Sequence, residues 1–92
     1  MIVNFKCSDT RTLFSTGKTK RWSALKNVAE RKLLLLDNAT TLEDLKAPPG
    51  NRLEALSGDR EGQHSIRINA QWRLCFVWTE QSATDVEIID YH

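Results

Sequence analysis

The 92-residue chain is poor in the residues that mark a cofactor site, a disulfide scaffold or a membrane anchor. It has two cysteines, Cys7 and Cys75, in no Cys-x-x-Cys or Cys-x-x-His cluster. That argues against a disulfide framework and against a zinc site of standard spacing, and two reduced, buried thiols are expected. Only four glycines occur, and none builds a Gly-x-Gly-x-x-Gly or phosphate-loop motif. The common nucleotide-cofactor sites are thereby excluded, and no cofactor or metal is expected. The apolar run Leu33 to Leu36 spans four residues, against the ~20 that a membrane span needs. The opening Met-Ile-Val-Asn-Phe-Lys has no basic segment leading into an apolar stretch, so no signal peptide is expected and the compartment should be the cytoplasm.

Charge is balanced in total and uneven in place. Thirteen Lys and Arg against twelve Asp and Glu leave a formal +1. Residues 1–36 hold eight cations and two acids, whereas residues 80–92 hold four acids and no Lys or Arg. Screening limits the reach of distant charges to ~8–10 Å. A basic N-terminal third can therefore attract a polyanion despite the acidic tail. At this length one domain is expected, and it can bury about 60–65 % of its unfolded surface.

Apolar periodicity predicts an α+β domain. Ile2 to Phe5 reads as a strand. Ser8 or Asp9 can cap a short helix over Thr10–Thr16, with Leu13 and Phe14 inward and Gly17 closing it. Ser23 can cap the main helix, Ala24 to Asp37, whose stripe is Leu25, Val28, Ala29, Leu33 and Leu36. Thr40 to Glu43 matches a capping box that starts a third short helix, stopped by Pro48-Pro49-Gly50. The period then changes to two: Arg52–Leu56, Gln63–Ile68, Trp72–Trp78 and Val86–Tyr91 read as strands. The sum is an N-terminal strand and two to three helices packed on a mainly antiparallel four- to five-stranded sheet.

A three-residue loop at Asn69–Gln71 puts Ile66 opposite Leu74 and, on the other face, Arg67 opposite Arg73. Directly opposed like charges are unfavourable, unless an anion sits between the two guanidinium groups. Arg73 then either covers an exposed sheet face or binds an anion. Asp90, Tyr91 and His92 close the last strand and are either solvated polar residues or a ligand-facing rim. His can act as acid or base near neutrality, and Tyr can stack on a base or donate a proton. Glu54 adds a carboxylate and Arg60 a guanidinium. His64 runs in phase with Ile66 and Ile68, as a residue at the core edge does. Trp22, Trp72 and Trp78 read as packing residues. Lys18, Lys20 and Arg21 form either a solvated face or an RNA-facing one. Imidazole, phenol, carboxylate and guanidinium together suit RNA cleavage. That reaction needs a base for the 2′-hydroxyl, an acid for the leaving 5′-oxygen and cations on the phosphoryl group.

The segment Leu53-x-x-Leu56-x-Gly58-Asp59-Arg60-x-Gly62, followed by Trp72-Arg73-x-x-Phe76 and the terminal Asp90-Tyr91-His92, resembles HigB-type toxins of the RelE/ParE superfamily. Leu13 to Lys18 and the total length fit as well. The resemblance implies a single toxin domain over residues 1–92, from a type II toxin–antitoxin system. It implies a metal-free mRNA interferase that cleaves mRNA in the ribosomal A site. A helix-turn-helix antitoxin of the HigA kind would bind it, and DNA would be met only through that complex. Carried over by position, Arg73 would hold the scissile phosphate, and Asp90, Tyr91 and His92 would form the catalytic cluster. Lys18, Lys20, Arg21, Arg60 and Arg67 would contact RNA. Several relatives carry His where this chain has Glu54 and Lys where it has Ser57, so Glu54 or His92 is expected to serve as base. A non-enzymatic ParE-like binding toxin and a degenerate toxin that regulates its antitoxin are the alternatives.

Overall fold

The computed structural model describes residues 1–90. Tyr91 and His92, two of the expected catalytic residues, lie outside them. In chain order the elements are α1 (Ser8–Thr16), α2 (Lys26–Asn38), β1 (Glu54–Ala55), β2 (His64–Arg67), β3 (Trp72–Thr79) and β4 (Ser82–Asp90), with 3-10 turns between them. Each strand pairs antiparallel with the next, in the sheet order β1-β2-β3-β4. The α+β class predicted from the sequence is the one observed.

Both helices differ from expectation at their starts. Lys6 N–H donates to the Val86 carbonyl at 3.0 Å, and α1 begins two residues later with Cys7 as N-cap and no capping side chain. A tertiary tether thus stands where Ser8 or Asp9 was expected to cap. Gly17 closes the helix in the left-handed conformation, as predicted, and its N–H bonds the Leu13 carbonyl. Ser23 does not cap α2. Residues Ser23–Leu25 form a 3-10 turn instead, anchored by buried Trp22. The Trp22 N–H donates to Thr19 Oγ1 and its carbonyl accepts from Leu25. Beyond the turn, Ala29, Leu33 and Leu36 of α2 are fully buried in a core with Leu13, Ile66, Leu74, Phe76, Val86 and Ile88. Each of the Leu, Ile, Val and Phe side chains in this set contributes about 1.5–3 kcal/mol by leaving water. Among the described residues no helix is long and apolar enough to cross a membrane.

The remaining differences have local causes. The capping box falls one residue late: Thr41 accepts from Asp44 N–H, and the Asp44 carboxylate reaches back to Thr41 N–H, over a 3-10 turn Leu42–Lys46. Pro49–Asn51 form another such turn, and Arg52 after it has φ 46°. An extended strand cannot start at Arg52 in that conformation, so β1 begins at Glu54. Strand β4 begins earlier than expected because Glu80 (φ 54°) and Gln81 make a two-residue hairpin. The N-terminal segment makes only two isolated parallel bridges along β4, Ile2 to Ala83 and Phe5 to Val86. Between them β4 bulges: Asp85 and Val86 together oppose Phe76, and Asp85 takes φ 51°. Asn4 holds that bulge by accepting from Asp85 N–H at 2.8 Å. A continuous fifth strand would need a regular β4 edge at this point.

Candidate active site

The sheet register assembles a polar row from residues far apart in sequence. Glu54 pairs with Ser65, Ser65 with Cys75 and Cys75 with Glu87, one residue from each strand. In the next row Arg67 pairs with Arg73 and Arg73 with Ile89. The predicted three-residue loop register is therefore the observed one, including the opposed arginines. Alternation turns Ile66, Leu74, Phe76 and Ile88 into the core, so this polar set lies on the sheet face away from the helices.

Arg73 is the centre of that face, and it is only 6 % exposed. Its Nε donates to Ser65 Oγ at 2.7 Å, and Nη2 donates to the Arg52 carbonyl at 2.5 Å and the Ser65 carbonyl at 3.3 Å. Bonds from a charged donor are worth about 1.5–3 kcal/mol each. They fix the guanidinium and tie the entry of β1 to β2 and β3. Glu54 Oε2 lies 4.0 Å from Nη2 on the half-exposed side. A half-exposed carboxylate thus stands beside a buried guanidinium. Ser65, whose side chain orients Arg73, is not among the residues the sequence singles out. Its signal there is a small polar residue on the non-core face of β2, in phase with Arg67.

A second charged group completes the face. Glu87 Oε2 lies 3.4 Å from Arg60 Nη1 and 3.6 Å from Lys6 Nζ. Arg60 Nη1 also donates to Gln63 Oε1 at 3.1 Å. These bonds hold the turn Gly58–Arg60 over the sheet and shape a small cleft, about 150 Å³, lined by Glu54, Ala55, Leu56, Ser57 and Arg60. Cys75 sits beneath. Burial is the main cause that pushes its thiol up to about 11; Glu87 adds to the rise, while Arg60 and Arg73 oppose it.

The other predicted residues separate into distinct places. Asp90 pairs with Trp72 at the end of β4 and accepts from Gln71 Nε2 at 3.1 Å, while Ile89 takes the position opposite Arg73. Lys18, Lys20 and Arg21 line a cavity of about 460 Å³ beside α1, with Asp9, Thr12 and Thr19. Arg21 packs over Trp22 at 4.9 Å and lies 3.5 Å from Asp9. Arg67 lines another groove, with α2. The five expected RNA-binding cations therefore form three surfaces, and only Arg60 shares the cleft with Glu54. His64 is half-buried against Phe76, with ring centroids 6.3 Å apart, which is the core-edge role predicted for it. Trp22 lies in the core, and Trp72 and Trp78 pack against it.

Residues 3–92 match the family model for HigB-like toxins, described as the RelE-like toxin of the type II toxin–antitoxin system HigB. The chain belongs to the HigB-like toxin family. It is 40 % identical over 82 residues to toxin HigB-1 of Vibrio cholerae, covering 87 % of this chain and 86 % of that one. It is 34 % identical over 94 residues to endoribonuclease HigB of Proteus vulgaris, across the full length of both. Two solved toxins share the fold. YafQ of E. coli superposes with a TM-score of 0.66 at 16 % identity, covering 98 % of this chain and 91 % of that one. The YoeB/ParE toxin of Agrobacterium tumefaciens gives 0.55 at 19 %, covering 99 % and 98 %. As a HigB-like toxin of the type II kind, the protein has an antitoxin as its partner.

Proposed function

We propose that this HigB-like toxin is a ribosome-dependent mRNA interferase, a metal-free endoribonuclease that cleaves mRNA in the A site of translating ribosomes. The observation that carries the reading is the Glu54 carboxylate 4.0 Å from Arg73 on the sheet face opposite the helices. In the reaction, a base removes the 2′-hydroxyl proton and the 2′-oxygen attacks the adjacent phosphorus. Charge builds on the non-bridging oxygens, and an acid protonates the leaving 5′-oxygen. Arg73 holds the charged phosphoryl group, and Glu54 or His92 takes the 2′ proton. Asp90 and Tyr91 orient the substrate, and Arg60 adds positive charge at the cleft. The roles of Tyr91 and His92 rest on sequence alone. Lys18, Lys20, Arg21 and Arg67 face RNA of the message or the ribosome, which places the work in the cytoplasm. The antitoxin is of the HigA-like helix-turn-helix kind, and DNA is met only through the complex with it.

The test is cleavage on programmed ribosomes together with 5′-end mapping of cellular mRNA after induction. Cuts in frame within translated codons are expected. Glu54→Gln or His92→Gln should lower the rate about 10²–10⁴-fold, the usual contribution of a positioned acid or base. Intact rates in both variants sink the assignment of the base. Toxicity that survives Arg73→Ala, in a protein shown to be folded, replaces the nuclease with a toxin that acts by binding.

A further inference from the structure

Beside the sheet lies a groove of about 410 Å³ with three cations on its rim, Arg31 and Lys32 from α2 and Arg67 from the end of β2. Its floor is apolar, made by Val28, Leu35 and Ile68, and no acid lines it. Among the described residues none of the three cations has a carboxylate within 4.0 Å, although Glu30 neighbours Arg31 in sequence. Glu30 is instead paired with Lys26 at 2.9 Å. Lys32 Nζ donates to Asn51 Oδ1, a neutral partner. Burial, and then Arg31, push the Lys32 ammonium below the ordinary lysine value.

Arg67 joins this groove to the candidate active site. It pairs directly with Arg73 across the β2–β3 ladder. Paired residues lie about 4.5–5.5 Å apart at Cα, and like charges so placed repel. Arg73 cannot turn away, because Ser65 and the Arg52 carbonyl hold it. Arg52 follows the turn Pro49–Asn51, whose start borders the groove at Pro48 and Gly50. Glu54 already faces Arg73 at 4.0 Å, so Arg67 is the cation of the pair whose charge is left for a ligand. Guanidinium pairs suit phosphate, and an apolar floor suits the face of a base or ribose.

We infer that the groove between Arg31, Lys32 and Arg67 is a second RNA subsite, holding the phosphodiester and nucleoside that flank the one placed at Arg73. The inference rests on the nuclease reading for its substrate class. Continuity with Arg73 favours an RNA strand over an acidic peptide, which has no reason to follow the cations onto the sheet face.

The experiment measures fluorescence anisotropy of the full chain with a labelled 2′-O-methyl RNA hexanucleotide, which cannot be cleaved, across a series of salt concentrations. The double variant Arg31→Gln/Arg67→Gln should bind at least 10-fold more weakly. Its log–log salt slope should become shallower by about 0.7 for each phosphate of the single strand that is no longer neutralised. Arg31→Lys/Arg67→Lys should recover most of the affinity, which a merely misfolded protein would not. Equal binding by wild type and the Gln double variant overturns the inference, as does no binding by wild type. So does a Glu-rich amphipathic peptide that binds wild type and fails to bind the Gln double variant while the RNA still binds both; that result makes the groove a protein-docking site. Cleavage on programmed ribosomes is scored separately. Its absence in wild type fails the nuclease reading, whereas normal cleavage with unchanged RNA binding in the Gln double variant fails only the groove.

Discussion

Arg73 shows how one buried side chain ties separate segments together and, in the proposed reaction, also meets the phosphate. It is bonded to Ser65 and to the backbone at Arg52, and those bonds aim it at the face where Glu54 waits. The alternatives for Arg73 in the sequence were an exposed cover for the sheet or an anion site, and the structure adds a third role, a buried tie between Ser65 and the backbone at Arg52. Period-two alternation had no means to foresee Ser65 as the residue that orients it. Cys75, its neighbour on the same face, has a different fate. Burial raises its thiol to about 11, so little thiolate exists at neutral pH. In a Cys7→Ser chain, a thiol reagent at pH 8 should label Cys75 slowly in the native protein and fast once denaturant is added. Rapid labelling of the folded protein would contradict the burial. The sign for stability follows from the same shift. The contribution is full below the ordinary thiol value and declines as pH rises from there through about 11, because the unfolded chain loses its proton first.

At the scale of elements, the Thr41–Asp44 box decides where the third helical turn starts. Asp44 accepts from Thr40 and Thr41 N–H, and these bonds hold its carboxyl below the usual aspartate range. Thr41→Ala should cost about 1 kcal/mol, a typical N-cap loss, read from denaturant midpoints at pH 7. The Asp44→Asn penalty should be present above the ordinary aspartate value and fade as pH falls through the lowered one. A penalty that stays constant from pH 7 to about 2.5 would refute the box. Elements were legible where a strong period or a breaker marks them. Examples are the α2 stripe, the Gly17 stop and the β2–β3 register. They were not legible where a tertiary bond overrides the local signal. Lys6 bonded to Val86 starts α1, buried Trp22 enters α2, and Asn4 pins the Asp85 bulge that leaves the N-terminal strand as two bridges.

For the whole molecule, the formal +1 conceals two separate cationic surfaces, beside α1 and along the α2 groove, while Arg60 over the cleft is paired with Glu87. Neither is large, so free RNA should be held weakly and the ribosome should supply the rest of the affinity. Cleavage of naked mRNA should therefore be much slower than that of ribosome-bound mRNA, and equal rates in a side-by-side assay would overturn this. The sequence by itself determined the α+β class, the core stripe, the hairpin register and the family, because each depends on local periodicity or on residue order along the chain. Only the tertiary structure decided that Glu54 meets Arg73, that Glu87 holds Arg60, and that Arg67 faces a groove built by α2. Those meetings depend on strand pairing and on how far each side chain reaches across the sheet, and neither is written in the spacing of residues along one strand.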